Sequence, residues 1–148
     1  MLRQLLFGAC VSGCAIVIHA LVMTSVVRVV HRASRSAARP QVLLISVMVA
    51  AVSVLMGAHV CEVMLWSAAY AIVDAAPAGA DRVYFAFVNY TTLGYGDVVP
   101  VEGWRLLGPM TAMNGVLLFG WSTAVIFEVL RRTMPPDRWV GSVAIDRQ

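Results

Sequence analysis

The sequence contains few charged residues. Only 13% of its 148 residues are charged, whereas 60% are hydrophobic and the mean hydropathy is +0.80. A soluble domain must cover its core with polar side chains, and a chain of this length and composition has too few of them. The composition therefore excludes a soluble domain and predicts a membrane protein with lipids as partners. The net charge of +3 reflects arginines beside apolar runs, so we expect no nucleic-acid partner.

Cysteine is also scarce, and no internal repeat is found. Cys10, Cys14 and Cys61 all lie within apolar runs. Cys10 and Cys14 are one helical turn apart, but no further metal ligand is near them in the sequence. We therefore expect all three to be small packing residues.

Three runs are apolar over the roughly 20 residues that a membrane-spanning helix requires. They cover residues 5–30, 42–66 and 106–130. The first run is longer than the apolar core of a signal peptide, so we expect a retained span rather than a cleaved leader. The pattern predicts an all-α membrane protein with three transmembrane helices.

Basic residues indicate the orientation of these spans. Residues 28–40 contain four arginines and no acidic residue, and Arg131 and Arg132 follow the third run. Arginine-rich segments near the ends of spans remain on the cytoplasmic side. We therefore expect the N-terminus outside and the C-terminus in the cytoplasm. The segment between the second and third runs then enters from the outer face.

A polar, glycine-containing motif lies in that outer segment: Thr91-Thr92-Leu93-Gly94-Tyr95-Gly96-Asp97. It follows an aromatic-rich stretch, residues 84–90, and precedes the third run. Asp81 is expected to cap a helix that begins near Arg82, because its carboxylate accepts hydrogen bonds from the free amides of the first turn. The motif and its context resemble the selectivity filter of the potassium channel family, and in particular its small bacterial three-span group. The resemblance covers residues 42–130. It implies a re-entrant pore helix, a filter loop, a homotetramer and passive passage of K⁺ across the bacterial inner membrane.

In this family, a ring of backbone carbonyls replaces the water that a K⁺ ion loses. Successive carbonyls reach one axis only if alternate residues adopt backbone angles that glycine tolerates best. Four copies of the loop close the ring, and the permeant K⁺ ions are the only cofactor implied. The residues to which the resemblance assigns the filter and K⁺ binding are Thr92, Leu93, Gly94, Tyr95 and Gly96.

The resemblance also assigns supporting roles beside the filter. Thr91 is expected to lie behind the ring that the Thr92 residues of four chains form. Asp97 is expected at the outer mouth, with Tyr84 as its hydrogen-bond partner or, alternatively, as an interfacial anchor. In some bacterial relatives a pore-helix glutamate pairs with this aspartate, but the corresponding residue here is Val88.

Glu62 is a carboxylate within the second run, 20 residues beyond Val42 and so about 30 Å along a helix. That height predicts that Glu62 supports the filter by accepting hydrogen bonds from nearby backbone, or that it snorkels to the outer headgroups. His59 lies three residues earlier on the same helix face. This position predicts that His59 forms either a pH-responsive pair with Glu62 or a structural hydrogen bond.

The third run resembles the inner helix of the family. Alignment on Arg105 puts Gly115 at the usual hinge position and Gly120 five residues later; close helix contact through small residues is the alternative. In that register four side chains face the cavity and the inner gate: Val116, Phe119, Thr123 and Phe127.

The first run lacks the arginine ladder of a voltage sensor, and only 12 residues follow Pro136. We therefore expect neither steep voltage gating nor a ligand-sensing domain, so that gating lies in the membrane part. The expected division is an extra helix and basic loop in residues 1–41, a pore domain in residues 42–134 and a short cytoplasmic tail in residues 135–148.

Two alternatives to a conducting channel remain at this point. One is a modulatory subunit that joins other pore-forming chains, although an intact filter motif argues against it. The other is an intramembrane metalloenzyme that uses His19, His59 and Glu62, although the sequence has no His-Glu-x-x-His arrangement. We expect a channel and not an enzyme.

Overall fold

The computed structural model describes residues 1–33 and 40–133. Within these ranges no strand occurs, and three of the helices are long and apolar enough to cross a membrane. The predicted all-α fold with three spanning helices is therefore confirmed. The predicted tail and much of the basic loop lie outside the described residues. The elements are α1 (Leu2–Ala33), α2 (Pro40–Ile72), α3 (Arg82–Tyr90), a 3₁₀ turn (Glu102–Trp104) and α4 (Leu107–Thr133).

Helix α2 continues to Ile72, beyond the predicted end of the second span at residue 66. The added turns carry Ala69 and Tyr70, which are both buried. Burial of these two side chains against the rest of the chain stabilises the helix beyond the predicted span.

The short helix α3 begins where the sequence predicts a cap. The Asp81 carboxylate accepts hydrogen bonds from the backbone N–H groups of Val83 (2.9 Å) and Tyr84 (3.2 Å). These are amides of the first helical turn, which have no partner within the helix. The predicted Asp81 cap is confirmed, and it fixes where the aromatic-rich helix starts.

Helix α1 packs against α2 and α4 of its own chain. The guanidinium of Arg3 lies 4.4 Å from the ring centroid of Trp104, and Gln4 Oε1 accepts a hydrogen bond from Leu106 N at 3.0 Å. These contacts place the start of α1 beside the start of α4. The N-terminus and the residue 91–97 loop therefore lie on the same side of the helices.

The interior consists of two apolar clusters with polar residues between them. The cluster near the residue 91–97 loop includes Trp66, Tyr70, Phe85 and Leu107. The cluster near the opposite end contains Met23, Val26, Val30, Ala51, Leu55, Val125 and Val129. The buried side chains of His19 and Glu62 occupy the level between the two.

The three cysteines lie on the outer faces of the helices. Cys10, Cys14 and Cys61 are free thiols, and all three are exposed on the surface of the single chain. Their expected role as small packing residues stays a prediction. Small residues on the outer faces of spanning helices contact lipid or another chain.

Candidate functional site

The loop after α3 is tied to the end of that helix through its backbone. Val88 O accepts hydrogen bonds from Leu93 N (3.0 Å) and Gly94 N (3.3 Å), and Asn89 O accepts one from Thr92 N (3.0 Å). The last carbonyls of a helix have no partner within it, so the loop amides satisfy them. Val88, which cannot form the side-chain pair seen in some relatives, thus holds the loop through its carbonyl.

Alternate residues of this loop have positive φ angles. The values are 60° at Thr92, 58° at Gly94 and 80° at Gly96. Glycine reaches this left-handed region readily, whereas a β-branched residue such as threonine enters it only when its surroundings force it. The sequence argument anticipated the two glycines. The same alternation, extended back by two residues from Gly94, would also have predicted a positive φ angle at Thr92.

The side chains of this loop face away from the body of the chain. Residues 91–97 are all exposed, with 53% of Leu93 and 69% of Tyr95 accessible. Thr91 is anchored at the start of the loop, where its Oγ1 donates to Phe87 O at 2.7 Å. An apolar protein that leaves a rigid, polar loop uncovered presents it to a ligand or to other copies of the chain.

Tyr84 and Asp97 contact each other beside the loop. Tyr84 Oη donates a hydrogen bond of 2.7 Å to Asp97 Oδ2. This bond to a carboxylate raises the pKa of Tyr84 above its usual value. The bond is therefore fully present at neutral pH and is lost as the pH rises through the raised pKa of Tyr84. It links the start of α3 to the end of the loop.

Glu62 has partners other than the backbone groups that the sequence predicted. Its carboxylate is fully buried and binds side chains of His19, His59 and Tyr90. Since α2 ends at Ile72, Glu62 lies about 15 Å from that end of the helix. It therefore meets the last residue of α3 at the middle of the bundle. The alternative of snorkelling to the headgroups is wrong for the same reason.

His59 has partners on three sides. Its Nδ1 lies 3.1 Å from Glu62 Oε2 and 2.9 Å from Tyr90 Oη, and its Nε2 lies 2.9 Å from Ser122 Oγ. The predicted structural hydrogen bonds of His59 are thus present. They connect α2 to both α3 and α4.

Helix α4 is continuous through both glycines for which a hinge was predicted. At Gly115, a Cβ would overlap the carbonyl oxygen of Tyr90, whereas at Gly120 a Cβ would meet nothing within 4 Å. Close approach of α3 and α4 therefore accounts for Gly115. No packing contact requires a glycine at position 120, and its hinge role stays a prediction.

The four predicted cavity residues lie on an exposed side of α4. Val116 and Phe127 are each 55% accessible in the single chain. Phe119 is partly covered, because its ring packs 4.5 Å from the centroid of His59 and 5.4 Å from that of Tyr90. Thr123, the fourth predicted cavity residue, is exposed, and its hydroxyl donates a hydrogen bond to Phe119 O.

Two further polar contacts join α2 to α4 and were not found from the sequence. Trp66 Nε1 donates to Asn114 Oδ1 at 3.0 Å, and Tyr70 Oη lies 2.6 Å from Thr111 Oγ1. Asn89 Nδ2 of α3 also donates to Tyr70 Oη, at 3.3 Å. The only available signal was the presence of polar residues inside apolar runs, because buried polar atoms require partners.

Comparison with known proteins identifies the class. A sequence model described as ion channel matches residues 58–132, about half of the chain. The chain therefore belongs to this ion channel family, and it is a membrane protein with three helices that can span the bilayer. The matched region contains residues 58–72 of α2, all of α3, the residue 91–97 loop and nearly all of α4. No curated protein and no solved structure matches the chain.

Proposed function

We propose that this ion channel is selective for K⁺ and conducts it passively through a pore formed by four identical chains. The observation that carries the proposal is the alternation of positive φ angles at Thr92, Gly94 and Gly96 in an exposed loop. The backbone φ angles must alternate in this way if successive carbonyls are to point at one axis. A single chain provides one such row, so a closed ring needs further copies around a symmetry axis.

The proposed K⁺ sites are formed by the carbonyls of Thr92, Leu93, Gly94 and Tyr95, with the Thr92 hydroxyl at the innermost site. Thr91 and the Tyr84–Asp97 pair hold the loop from behind. Glu62 and His59 support it indirectly, through Tyr90 at the end of the pore helix. The proposed cavity and gate residues are Val116, Phe119, Thr123 and Phe127.

The proposed orientation has the N-terminus and the filter outside and the end of α4 in the cytoplasm of a bacterial inner membrane. Arg131 Nε and Arg132 Nε pair with Glu128 at 2.8 and 2.5 Å, at the end of α4 away from the filter. The positive residues of this end support its cytoplasmic location.

Recording of purified protein in planar bilayers tests the proposal. With K⁺ on one side of the bilayer and Na⁺ on the other, we expect the current to reverse close to the equilibrium potential of K⁺. A reversal potential near zero would disprove K⁺ selectivity. Absence of any current from correctly assembled tetramers would instead favour a non-conducting subunit.

Block by Ba²⁺ provides a more local test, because this divalent ion is close to K⁺ in size. Thr92→Cys removes four hydroxyl oxygens from the innermost site of a tetramer. We expect Ba²⁺ to inhibit K⁺ flux at least about tenfold less tightly in this variant, which corresponds to about 1.4 kcal/mol. Thr24→Cys in α1 is the control, and it should retain wild-type block. Equal Ba²⁺ affinity in wild type and Thr92→Cys would remove Thr92 from the site.

The Tyr84–Asp97 hydrogen bond is expected to stabilise the conducting form of the filter. Tyr84→Phe deletes the donor and Asp97→Asn removes the charge of the acceptor. We expect each variant to shorten conducting bursts, and the double variant to shorten them no further than Tyr84→Phe alone, because both changes act on the same bond. Single-channel recording at neutral pH measures burst length. Additive effects of the two changes would show that these residues act separately.

A further inference from the structure

Five polar side chains from all four helices meet at the middle of the bundle, and together they form a buried junction cluster. Their accessible fractions are 8% or less. Burial of so many polar atoms between apolar layers is costly unless they are fully paired or bind an ion. The junction cluster consists of His19 (α1), His59 and Glu62 (α2), Tyr90 (α3) and Ser122 (α4).

The donor atoms of the junction cluster have the spacing of a metal site. His19 Nδ1 lies 2.7 Å from Glu62 Oε1, and His59 Nδ1 lies 3.1 Å from Glu62 Oε2. His19, His59 and Glu62 each contribute one ligand atom, and these three atoms all lie within 4.8 Å of one another. Ligands about 2.0–2.1 Å from a tetrahedral Zn²⁺ are separated by roughly 3.3 Å. Small side-chain shifts therefore suffice to admit an ion.

The hydroxyl of Tyr90 provides a fourth ligand atom. It contacts Glu62 Oε2 and lies 2.9 Å from His59 Nδ1. If Tyr90 binds as phenolate, then two anionic oxygens and two neutral imidazoles surround a divalent cation, and the site has no net charge. Electroneutrality matters here because an uncompensated charge at the centre of a membrane protein is expensive.

The outer nitrogens of both imidazoles also have the arrangement expected for metal ligands. His59 Nε2 lies 2.9 Å and His19 Nε2 lies 3.3 Å from the same oxygen, Ser122 Oγ. A histidine that binds a metal through one nitrogen donates its other N–H to an acceptor. A serine oxygen has two lone pairs and can accept both bonds. Ser122 thus orients both Nδ1 atoms toward Glu62.

The proton of Tyr90 distinguishes the metal-bound and metal-free states. Without metal, Tyr90 Oη donates a hydrogen bond to Glu62 Oε2. If the Tyr90 oxygen binds a divalent cation as phenolate, this proton is released to the solvent.

We propose that the junction cluster binds one divalent transition metal ion per chain, with Zn²⁺ as the best match to its nitrogen and oxygen ligands. The ligands are His19 Nδ1, His59 Nδ1, a Glu62 oxygen and the Tyr90 oxygen, with Ser122 holding the imidazoles. A filled site joins α1, α2 and α3 directly. This proposal is independent of which ion the pore conducts.

The test uses purified full-length protein in detergent, in which Cys10, Cys14 and Cys61 are replaced by serine so that thiols cannot bind the metal. Equilibrium dialysis against ZnCl₂, followed by metal analysis, should give one Zn²⁺ per chain. Unbuffered titration should release about one proton per ion, from Tyr90. Less than half an equivalent of Zn²⁺ at saturation would overturn the proposal.

Variants identify the ligands. His19→Gln and Glu62→Gln should each weaken Zn²⁺ binding by at least about a hundredfold, and Tyr90→Phe and Ser122→Ala by at least about tenfold. His31→Gln is the matched control, because His31 lies in the last turn of α1 on the exposed surface. Unchanged affinity in His19→Gln, or loss of binding in His31→Gln, would contradict the assignment.

Cobalt spectroscopy decides the question even if some variants fail to assemble. In the cysteine-free protein, bound Co²⁺ should show the intense visible bands of tetrahedral coordination, and added Zn²⁺ should abolish them stoichiometrically. The weak bands of octahedral Co²⁺ would indicate a solvated surface ion and would overturn the buried site.

Discussion

Replacement of Gly94 by alanine is expected to abolish K⁺ selectivity while the protein still assembles. Gly94 has φ 58°, and no neighbouring atom lies closer than 3.9 Å to an added Cβ, so the penalty comes from the backbone conformation and not from crowding. A side chain in the left-handed region costs roughly 1–2 kcal/mol, or roughly 4–8 kcal/mol over the four subunits of the proposed tetramer. The loop should relax to another conformation and withdraw a carbonyl from each chain.

Bilayer recording with K⁺ opposite Na⁺, together with size-exclusion chromatography, checks this expectation. We expect the permeability ratio of K⁺ to Na⁺ to fall at least about tenfold, or the current to vanish, at an unchanged elution volume. Gly13→Ala is the control, because Gly13 lies in α1 where an added Cβ meets nothing within 4 Å. A wild-type ratio in Gly94→Ala would refute the assignment of this loop as the filter.

Gly115→Ala is expected to destabilise the protein itself. Its Cβ would overlap the carbonyl oxygen of Tyr90 and would lie 3.3 Å from Cγ of the same residue. The obstacle is largely backbone, which cannot rotate aside as a flexible side chain can. Overpacking of this kind costs about 1–3 kcal/mol, and it should force α3 away from α4.

Thermal unfolding in detergent measures this effect, and we expect Tm to fall by about 5 °C or more. Gly120→Ala is the matched control on the same helix. Its Cβ is unopposed in the single chain, and alanine favours helix by about 1 kcal/mol over glycine, so its Tm should stay the same or rise. If the two variants have the same Tm, contact with Tyr90 is not the reason for glycine at position 115.

Much of the fold could be predicted because its signals are local. The three spanning helices follow from the length of apolar runs, and the start of α3 follows from one aspartate before an aromatic stretch. The positive φ angles at Gly94 and Gly96 follow from the residue type. The C-terminal end of α2 lies beyond the predicted end of the second span, because it depends on which helix faces pack together.

The junction cluster could not be predicted because its members are far apart in the sequence. His19 and Glu62 are 43 residues apart, and His19 and Ser122 are 103 apart. Their meeting requires α1 to pack against both α2 and α4, with a register that hydropathy does not specify. The sequence did group His19, His59 and Glu62, as the polar exceptions in apolar runs, in the metalloenzyme alternative, but it gave no sign that Tyr90 and Ser122 join them.

The packing of α1 also bears on how the protein can move. This helix contacts the residues just before α4 through Arg3 and Gln4 and contacts α4 at mid-height through His19. Near its far end, Val26 and Val30 belong to the same apolar cluster as residues of α4. An outward swing of the lower part of α4 must either carry α1 along or separate an apolar interface. If the two helices travel together, each subunit sweeps a wider area of bilayer on opening. The lateral tension of the membrane then enters directly into the mechanical work of that step.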